Sequence, residues 1–249
     1  MEQIGRYFYK TLILISFLTL DAKNPVCISL GNSCAPALHL RNFNLRTEAY
    51  PFDWIVSPFD ALYNALESDF RYFLSDLKIR PGNQGVIDYY GFHFTHDLPT
   101  VHQPQVDALN VDFIGNCELF EHWNQAVPLV KEKYRRRIER LRNVLHGKEK
   151  VYFIRWESNR EEAVKLSNFF KIKYPNLDFT LVIFADSVDV QTPWLIDRVK
   201  NIFVRKWDDS VSWLSALKQV SSEFNDIRMV SRYIPIDSLI CMDCLCRNL

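Results

Sequence analysis

Two apolar runs without polar alternation constrain the fold of this chain more than any other feature. They are VYFIRW (151–156) and LDFTLVIFA (177–185), and a helix-type segment, SNREEAVKLSNFFKIKY, lies between them. A strand that is buried on both faces loses the polar–apolar alternation, and such strands belong to parallel sheets covered by helices. A third run, VKNIFVRKW (199–207), and the amphipathic segment after it repeat the pattern. We therefore predict an α/β fold, with a layered, mostly parallel sheet flanked by helices.

The composition narrows the class of protein. The chain has 249 residues, 48% of them hydrophobic, so it can bury a sizeable core. Thirty acidic residues balance thirty basic ones, whereas a nucleic-acid-binding protein would show a strong positive excess. The sequence has no glycine-rich phosphate loop and no recognised metal motif, so we expect no cofactor, no metal and no nucleic acid. The expected partner is a protein, a peptide or a small-molecule substrate.

The chain divides into three predicted parts. Residues 24–228 form one α/β domain, within which residues 76–128 are a loop-rich elaboration with one or two short strands. Residues 229–249 form a cysteine-rich tail. Its segment CMDCLC (241–246) has the spacing of one metal-binding pair, but a structural zinc site needs four ligands and no second pair is present. An ill-packed or redox-labile tail is the favoured interpretation.

Residues 1–23 have two interpretations. Arg6 and Lys10 precede the apolar run TLILISFLTL, which has the length of the hydrophobic region of a signal peptide. Glu2 and a weak cleavage site favour instead a helix or strand that packs on the domain. The run is too short to cross a bilayer unaided. The protein is accordingly cytoplasmic or secreted, and membrane contact is expected only if this segment is retained.

Cys34 is the leading candidate for chemistry. The run VCISLG (26–31) predicts a buried strand that ends at Gly31, and the following residues have helical composition. Cys34 then lies at or just before a helix N-terminus, where the unpaired N–H groups stabilise a thiolate. The N–H groups near Ser33–Ala35 could hold an oxyanion. The alternative is an ordinary thiol, since free cysteine is among the most buried residue types.

A catalytic thiol needs a base, and several histidines are available. His39 is five residues after Cys34, about 140° around the same helix, so it does not face the thiol. His96 is favoured because Asp97 follows it and the strand pattern sends it to the face opposite Thr95. His93 is the reserve candidate. Each histidine has the alternative of a purely structural role.

The segment YPFDW (50–54) also has two interpretations. In the first, Asp53 orients a histidine or receives a bond from Arg41 or Arg46, and the two arginines could equally hold an anionic group of a substrate. In the second, the segment is a structural corner in which Pro51 sets the turn, Phe52 and Trp54 fill the core, and Asp53 caps.

Two helix starts are predicted from capping patterns. Ser57 and Asp60 match a capping box at the start of SPFDALYNALESDF, and Ser158 and Glu161 match another. The helix LVKEKYRRRIERLRNVLH (129–146) should bury one apolar stripe and expose its charges.

The segment ISLGNSCAPALHLRNFNLRTEAYPFDW (28–54) resembles the opening motif of a family of largely uncharacterised proteins described as "putative papain-like cysteine peptidases". That motif is a strand, then Gly, Ser or Asn and Cys, then two Leu-Arg pairs and Pro-Phe-Asp-Trp. The resemblance continues more weakly in YYGFHFTHDLP (89–99), EKYRRRIERL (132–141) and VYFIRW. The apolar N-terminus and the cysteine-rich tail lie outside it.

The resemblance implies a thiol nucleophile at Cys34 and a general base at His96. Asp53 becomes an orienting or binding residue, and Asn32 and Ser33 shape the turn. The papain fold places its cysteine on a central helix and its histidine on an antiparallel sheet, which gives an α+β alternative to the predicted α/β fold. Both folds can present a cysteine at a helix N-terminus.

Three functions follow from these patterns. The first is a cysteine-dependent hydrolase, a peptidase or a related acyl-transfer enzyme, that uses a Cys–His pair. The second is a non-catalytic binding module in which Arg41, Arg46 and Asp53 hold an anionic or sugar-like ligand. The third is a structural domain in which the motif is a packed corner.

Overall fold

The computed structural model describes residues 25–101 and 118–229. The predictions for residues 1–23 and for the tail cysteines fall outside the described residues. No helix within the described ranges is long and apolar enough to cross a membrane.

The described chain contains seven strands and five α-helices. In chain order they are β1 (Val26–Ser29), α1 (Ala35–Asn42), α2 (Phe59–Glu67), β2 (Lys78–Ile79), β3 (Val86–Ile87), β4 (His93–Phe94), α3 (Val127–Leu145), β5 (Val151–Trp156), α4 (Arg160–Lys173), β6 (Phe179–Ala185), β7 (Val199–Phe203) and α5 (Ser210–Val220).

The main sheet has four parallel strands in the order β1-β5-β6-β7. This confirms the predicted α/β fold. Within the described ranges, antiparallel pairing is confined to a small sheet, β2-β3-β4, and to isolated bridges such as Val56–His93. That sheet belongs to the predicted elaboration, which has three short strands where one or two were expected.

The two faces of the main sheet bury different helices. On one face Phe153 of β5 stacks on Phe170 of α4, with ring centroids 4.5 Å apart, and α2 and α3 join the same cluster. On the other face Trp156 of β5 stacks on Trp213 of α5 (5.5 Å), and α1 completes that layer. Since successive residues of β5 serve opposite faces, all six are buried. This explains why the run showed no alternation.

Both predicted capping boxes are wrong in detail. The helix α2 begins at Phe59 without a side-chain cap, because the Ser57 hydroxyl is bonded elsewhere. The box of α4 is formed by Asn159 and Glu162, one residue later than expected. The hydroxyl of Ser158 instead accepts a hydrogen bond from Arg155 Nε (2.9 Å). The apolar stripe predicted for α3 is buried as expected, but its charges are not all exposed, since Lys133 and Arg137 are buried as well.

Candidate functional site

The turn after β1 reverses the chain in two left-handed residues. Gly31 has φ 72° and Asn32 has φ 75°, a conformation that costs a non-glycine residue energy. Ser57 stabilises this turn, since its Oγ donates to Leu30 O (3.1 Å) and accepts from Asn32 N (2.7 Å). The turn directs the chain into α1, of which Cys34 is the N-cap residue.

Arg155 ties the turn to the centre of the sheet. Its side chain is fully buried; Nη1 donates to Leu30 O (2.9 Å) and Nη2 to Ser57 O (3.1 Å). Burial lowers the pKa of its guanidinium to about 10, so it is charged at neutral pH. The sequence interpretation missed Arg155, although a single arginine inside the apolar run VYFIRW was a signal that could have been followed.

Cys34 lies at the N-terminus of α1 under an apolar cover. Cys34 is 2% exposed and packs with Leu38 and with the half-buried indoles of Trp54 and Trp207. The Ser33 hydroxyl accepts a hydrogen bond from Ala35 N (3.2 Å). One of the N–H groups expected to hold an oxyanion is therefore already engaged in this conformation.

The structure brings Arg46 and Asp53 together in the PFDW corner. Asp53 is buried, and its Oδ2 accepts from Arg46 Nε (2.8 Å) and from Tyr50 N (3.0 Å). Trp54 follows in a left-handed conformation, with φ 66°, and so its ring reaches the cluster around Cys34. Arg41 lies apart from this ion pair in sequence, in the last turn of α1. Asp53 thus fixes the shape of the corner.

His39 is a core residue on the far side of α1. Its Nε2 lies 2.8 Å from Trp207 O, and its ring stacks on Trp213 with centroids 4.4 Å apart. Burial lowers the pKa of His39 to about 4, so the imidazole is neutral at physiological pH. This agrees with the expectation that His39 does not face Cys34.

His39 should make the fold acid-sensitive. The pKa of His39 is about 4 in the folded state and about 6.5 in an unfolded chain. Between these values the unfolded state binds more protons, so stability falls as the pH is lowered. We expect His39 to contribute about 2 kcal/mol of destabilisation between pH 7 and pH 5. Urea unfolding at both pH values, compared with His39→Phe, measures this; an equal pH dependence in the variant would contradict it.

The segment after β4 carries His96. The strand before it, β4, pairs with Val56, which follows the PFDW corner. His93 N donates to Val56 O (3.0 Å), and Val56 N donates to His93 O (3.2 Å). His96 is 6% exposed. The adjacent Asp97 is anchored to α3 by an ion pair to one carboxylate oxygen and a hydrogen bond to the other.

The groups that anchor Asp97 to α3 are buried. Lys133 Nζ pairs with Asp97 Oδ1, and Tyr134 OH donates to Asp97 Oδ2 (2.8 Å). Burial by itself raises the pKa of the Asp97 carboxyl, but the charges of Lys133 and Arg137 outweigh it and hold the pKa below its usual range. Asp97 therefore positions the chain next to His96 through α3.

A crevice opens at the carboxyl ends of β5 and β6. It has a volume of about 850 Å³ and is lined by Asn32 from the Cys34 turn and by Glu157, Arg160 and Asp186, among others. Asn32 Nδ2 donates to Glu157 Oε2 (3.3 Å). Burial and the charge of Asp186 raise the pKa of Glu157. Crevices at this edge of parallel sheets are common ligand sites.

A family model described as "Putative papain-like cysteine peptidase (DUF1796)" matches residues 25–187. The chain belongs to this family. The match includes the Cys34 turn, the PFDW corner, the His96 segment and β5, and it confirms the family resemblance stated from the motif. Searches of curated proteins and of solved structures each found no match. In the described ranges, no three His, Cys, Asp or Glu side chains are grouped as metal ligands.

Proposed function

We propose that this protein is a cysteine-dependent hydrolase in which Cys34 is the nucleophile. The observation that carries this proposal is the position of Cys34 as N-cap of α1, directly after a left-handed turn at the carboxyl end of a parallel strand. The N-terminus of a helix stabilises a thiolate. The family description, a cysteine peptidase, supports the same reaction class. The crevice beside Asn32 would accommodate part of the substrate.

His96 is the proposed general base. Backbone pairing of His93 with Val56 holds β4 against the PFDW corner, whose Trp54 packs on Cys34. The anchored Asp97 fixes the chain at His96. In the proposed reaction His96 takes the thiol proton, the thiolate attacks a substrate carbonyl, and the proton passes to the leaving group. Water then hydrolyses the acyl-enzyme and restores the thiol.

The remaining motif residues shape the site in this proposal. Asn32 and Ser33 hold the turn, and Asp53 with Arg46 holds the corner that carries Trp54. Arg41 remains a candidate for contact with an anionic group of the substrate. Since Cys34 is only 2% exposed, a substrate carbonyl reaches its sulfur by displacing an indole that covers it.

The test is the pH dependence of iodoacetamide labelling, read by peptide mass spectrometry on the native full chain. At pH 6.5 an ordinary thiol is about 1% ionised, so we expect Cys34 to label at least about tenfold faster than glutathione. Cys27 is an internal control: it is equally buried, and burial together with the charge of Glu223 raises the pKa of its thiol. We expect Cys27 to stay unlabelled until the protein unfolds.

Two matched variants identify the base. His96→Ala should slow the labelling of Cys34 at pH 6.5 by about tenfold, and His93→Ala should leave it unchanged. The opposite result would assign the base to His93. Labelling of Cys34 no faster than glutathione, or only after unfolding, would overturn the enzyme proposal.

A non-catalytic binding module is the second candidate, because Cys34 is covered and Arg160, Glu157 and Asp186 give the crevice a polar lining. It predicts that the protein shows no turnover and that Cys34→Ser keeps the ligand affinity of the crevice. In a hydrolase, the Cys34→Ser variant would keep the affinity and lose the turnover of the native protein.

A further inference from the structure

Polar side chains gather on one face of the small antiparallel sheet. Phe94 of β4 is fully buried in the core. Because side chains alternate along a strand, His93 and Thr95 lie on the other face. In the register of this sheet Lys78 is in line with Ile87, and Ile87 with His93. Arg80, two residues after Lys78, therefore lies on the same face as His93, and its positive charge contributes to lowering the pKa of His93.

Gly85 brings the Arg80 turn against Thr95. Arg80 N donates to Gly85 O (3.0 Å). A Cβ atom on Gly85 would lie 3.1 Å from Thr95 Cα and 2.3 Å from Phe94 O, so the hairpin and β4 are in direct backbone contact here. No side chain at Gly85 separates Arg80 from Thr95.

Each of the three residues has a buried polar atom without a hydrogen-bond partner among the residues that the structure describes. These atoms are Arg80 Nη1, His93 Nδ1 and Thr95 Oγ1. Thr95 as a whole is 3% exposed. Buried polar groups are normally hydrogen-bonded, and an exception calls for an explanation such as strain, a catalytic role, a water, an ion or a ligand. Three such atoms on one face of the small sheet point to a ligand with several acceptor oxygens.

The charge of this group selects a monoanion. Arg80 carries one positive charge, and burial, with Arg80, lowers the pKa of His93 to about 4, so the imidazole is neutral at pH 7. Lys78 lies on the same face of the sheet, but the charge of its ammonium is balanced by the carboxylate of Asp76 (3.0 Å). One half-buried cation is balanced by one negative charge. A dianionic phosphate would leave an excess charge.

We propose that Arg80, His93 and Thr95 form a binding site for a carboxylate, the group carried by a peptide C-terminus or an acidic side chain. The guanidinium and the threonine hydroxyl donate to the carboxylate oxygens. The neutral ring of His93 donates a further hydrogen bond through its N–H. This site is independent of any catalytic role of Cys34.

The experiment follows the imidazole signals of the full chain by NMR between pH 4 and pH 8. The probes are sodium acetate, inorganic phosphate and acetamide, each compared with sodium chloride at equal ionic strength. Saturating acetate should raise the pKa of His93 by about one unit or more, because a nearby negative charge favours the imidazolium. His39 is the internal control, since it is also buried with a pKa of about 4 and should not respond.

Two variants test the named contacts. Arg80→Gln and Thr95→Val should each weaken acetate binding by about tenfold or more, while unchanged His39 signals show that both are folded. No response of His93 to acetate would overturn the proposal, as would unchanged binding by both variants. Tighter binding of phosphate than of acetate would overturn the assignment to a carboxylate, and equal binding of acetamide would exclude an anion site.

Discussion

Replacing Asp97 with alanine should destabilise the protein by about 3–5 kcal/mol, because it leaves the buried ammonium of Lys133 without its partner. Tyr134, which is fully buried, also loses the acceptor of its hydroxyl. For a domain of this size we expect a fall in Tm of about 10 °C at pH 7. Because the folded-state pKa of Asp97 is depressed, its contribution is complete above pH 4 and is lost as the pH falls through the folded pKa.

Glu132 provides the control for this prediction on the same helix. It is exposed and pairs with Arg135 and Arg136 on the surface, so Glu132→Ala should leave the Tm nearly unchanged. Lys133→Met combined with Asp97→Leu removes both charges and should cost less than Asp97→Ala alone. Equal Tm values for Asp97→Ala and Glu132→Ala in thermal melts would show that the buried pair does not anchor the segment.

Replacing Gly31 with alanine is expected to cost about 3 kcal/mol or more. The left-handed φ of 72° penalises any side chain there by about 1–2 kcal/mol. The new Cβ would also lie 2.2 Å from Ser57 Oγ and 3.2 Å from Phe52 O. Ser57 would have to give up its bonds to the turn, each worth about 1 kcal/mol. Urea unfolding measures the loss.

Gly91 is the matched control, since its φ is 96° but a Cβ there meets nothing within 4 Å. Gly91→Ala should therefore cost only the backbone penalty of about 1–2 kcal/mol. A Gly31→Ala variant as stable as Gly91→Ala would show that the turn tolerates a side chain. We also expect Gly31→Ala to lose the fast labelling of Cys34, because the turn positions the thiol.

The main sheet could be predicted from sequence because every residue of β5 is buried, and such a pattern fits one architecture. The helix starts could not be placed as well. Ser57 has the residue type of a helix cap, but Leu30 O and Asn32 N compete for its hydroxyl. These partners are distant in sequence, and local capping rules do not include them.

In the candidate site, the turn at Gly31 and Cys34 could be predicted from the sequence, but the contacts between residues distant in sequence could not. Gly31 and Cys34 lie where the strand–turn–helix pattern placed them. The sequence left open whether Asp53 meets an arginine or a histidine, and the structure shows its bond to Arg46. Arg155 was missed because its role depends on β1 and β5 being neighbours in the sheet, which no local pattern reveals.

The bond from Arg155 to Leu30 joins residues 125 positions apart. Closing a loop of that length costs about 4 kcal/mol of chain entropy, and β1 contributes only four residues to repay it. During synthesis, a chain that ends before β5 has no partner for β1 and no guanidinium to hold the turn. A nascent chain therefore cannot present Cys34 at an ordered helix terminus until more than half of the protein has been made.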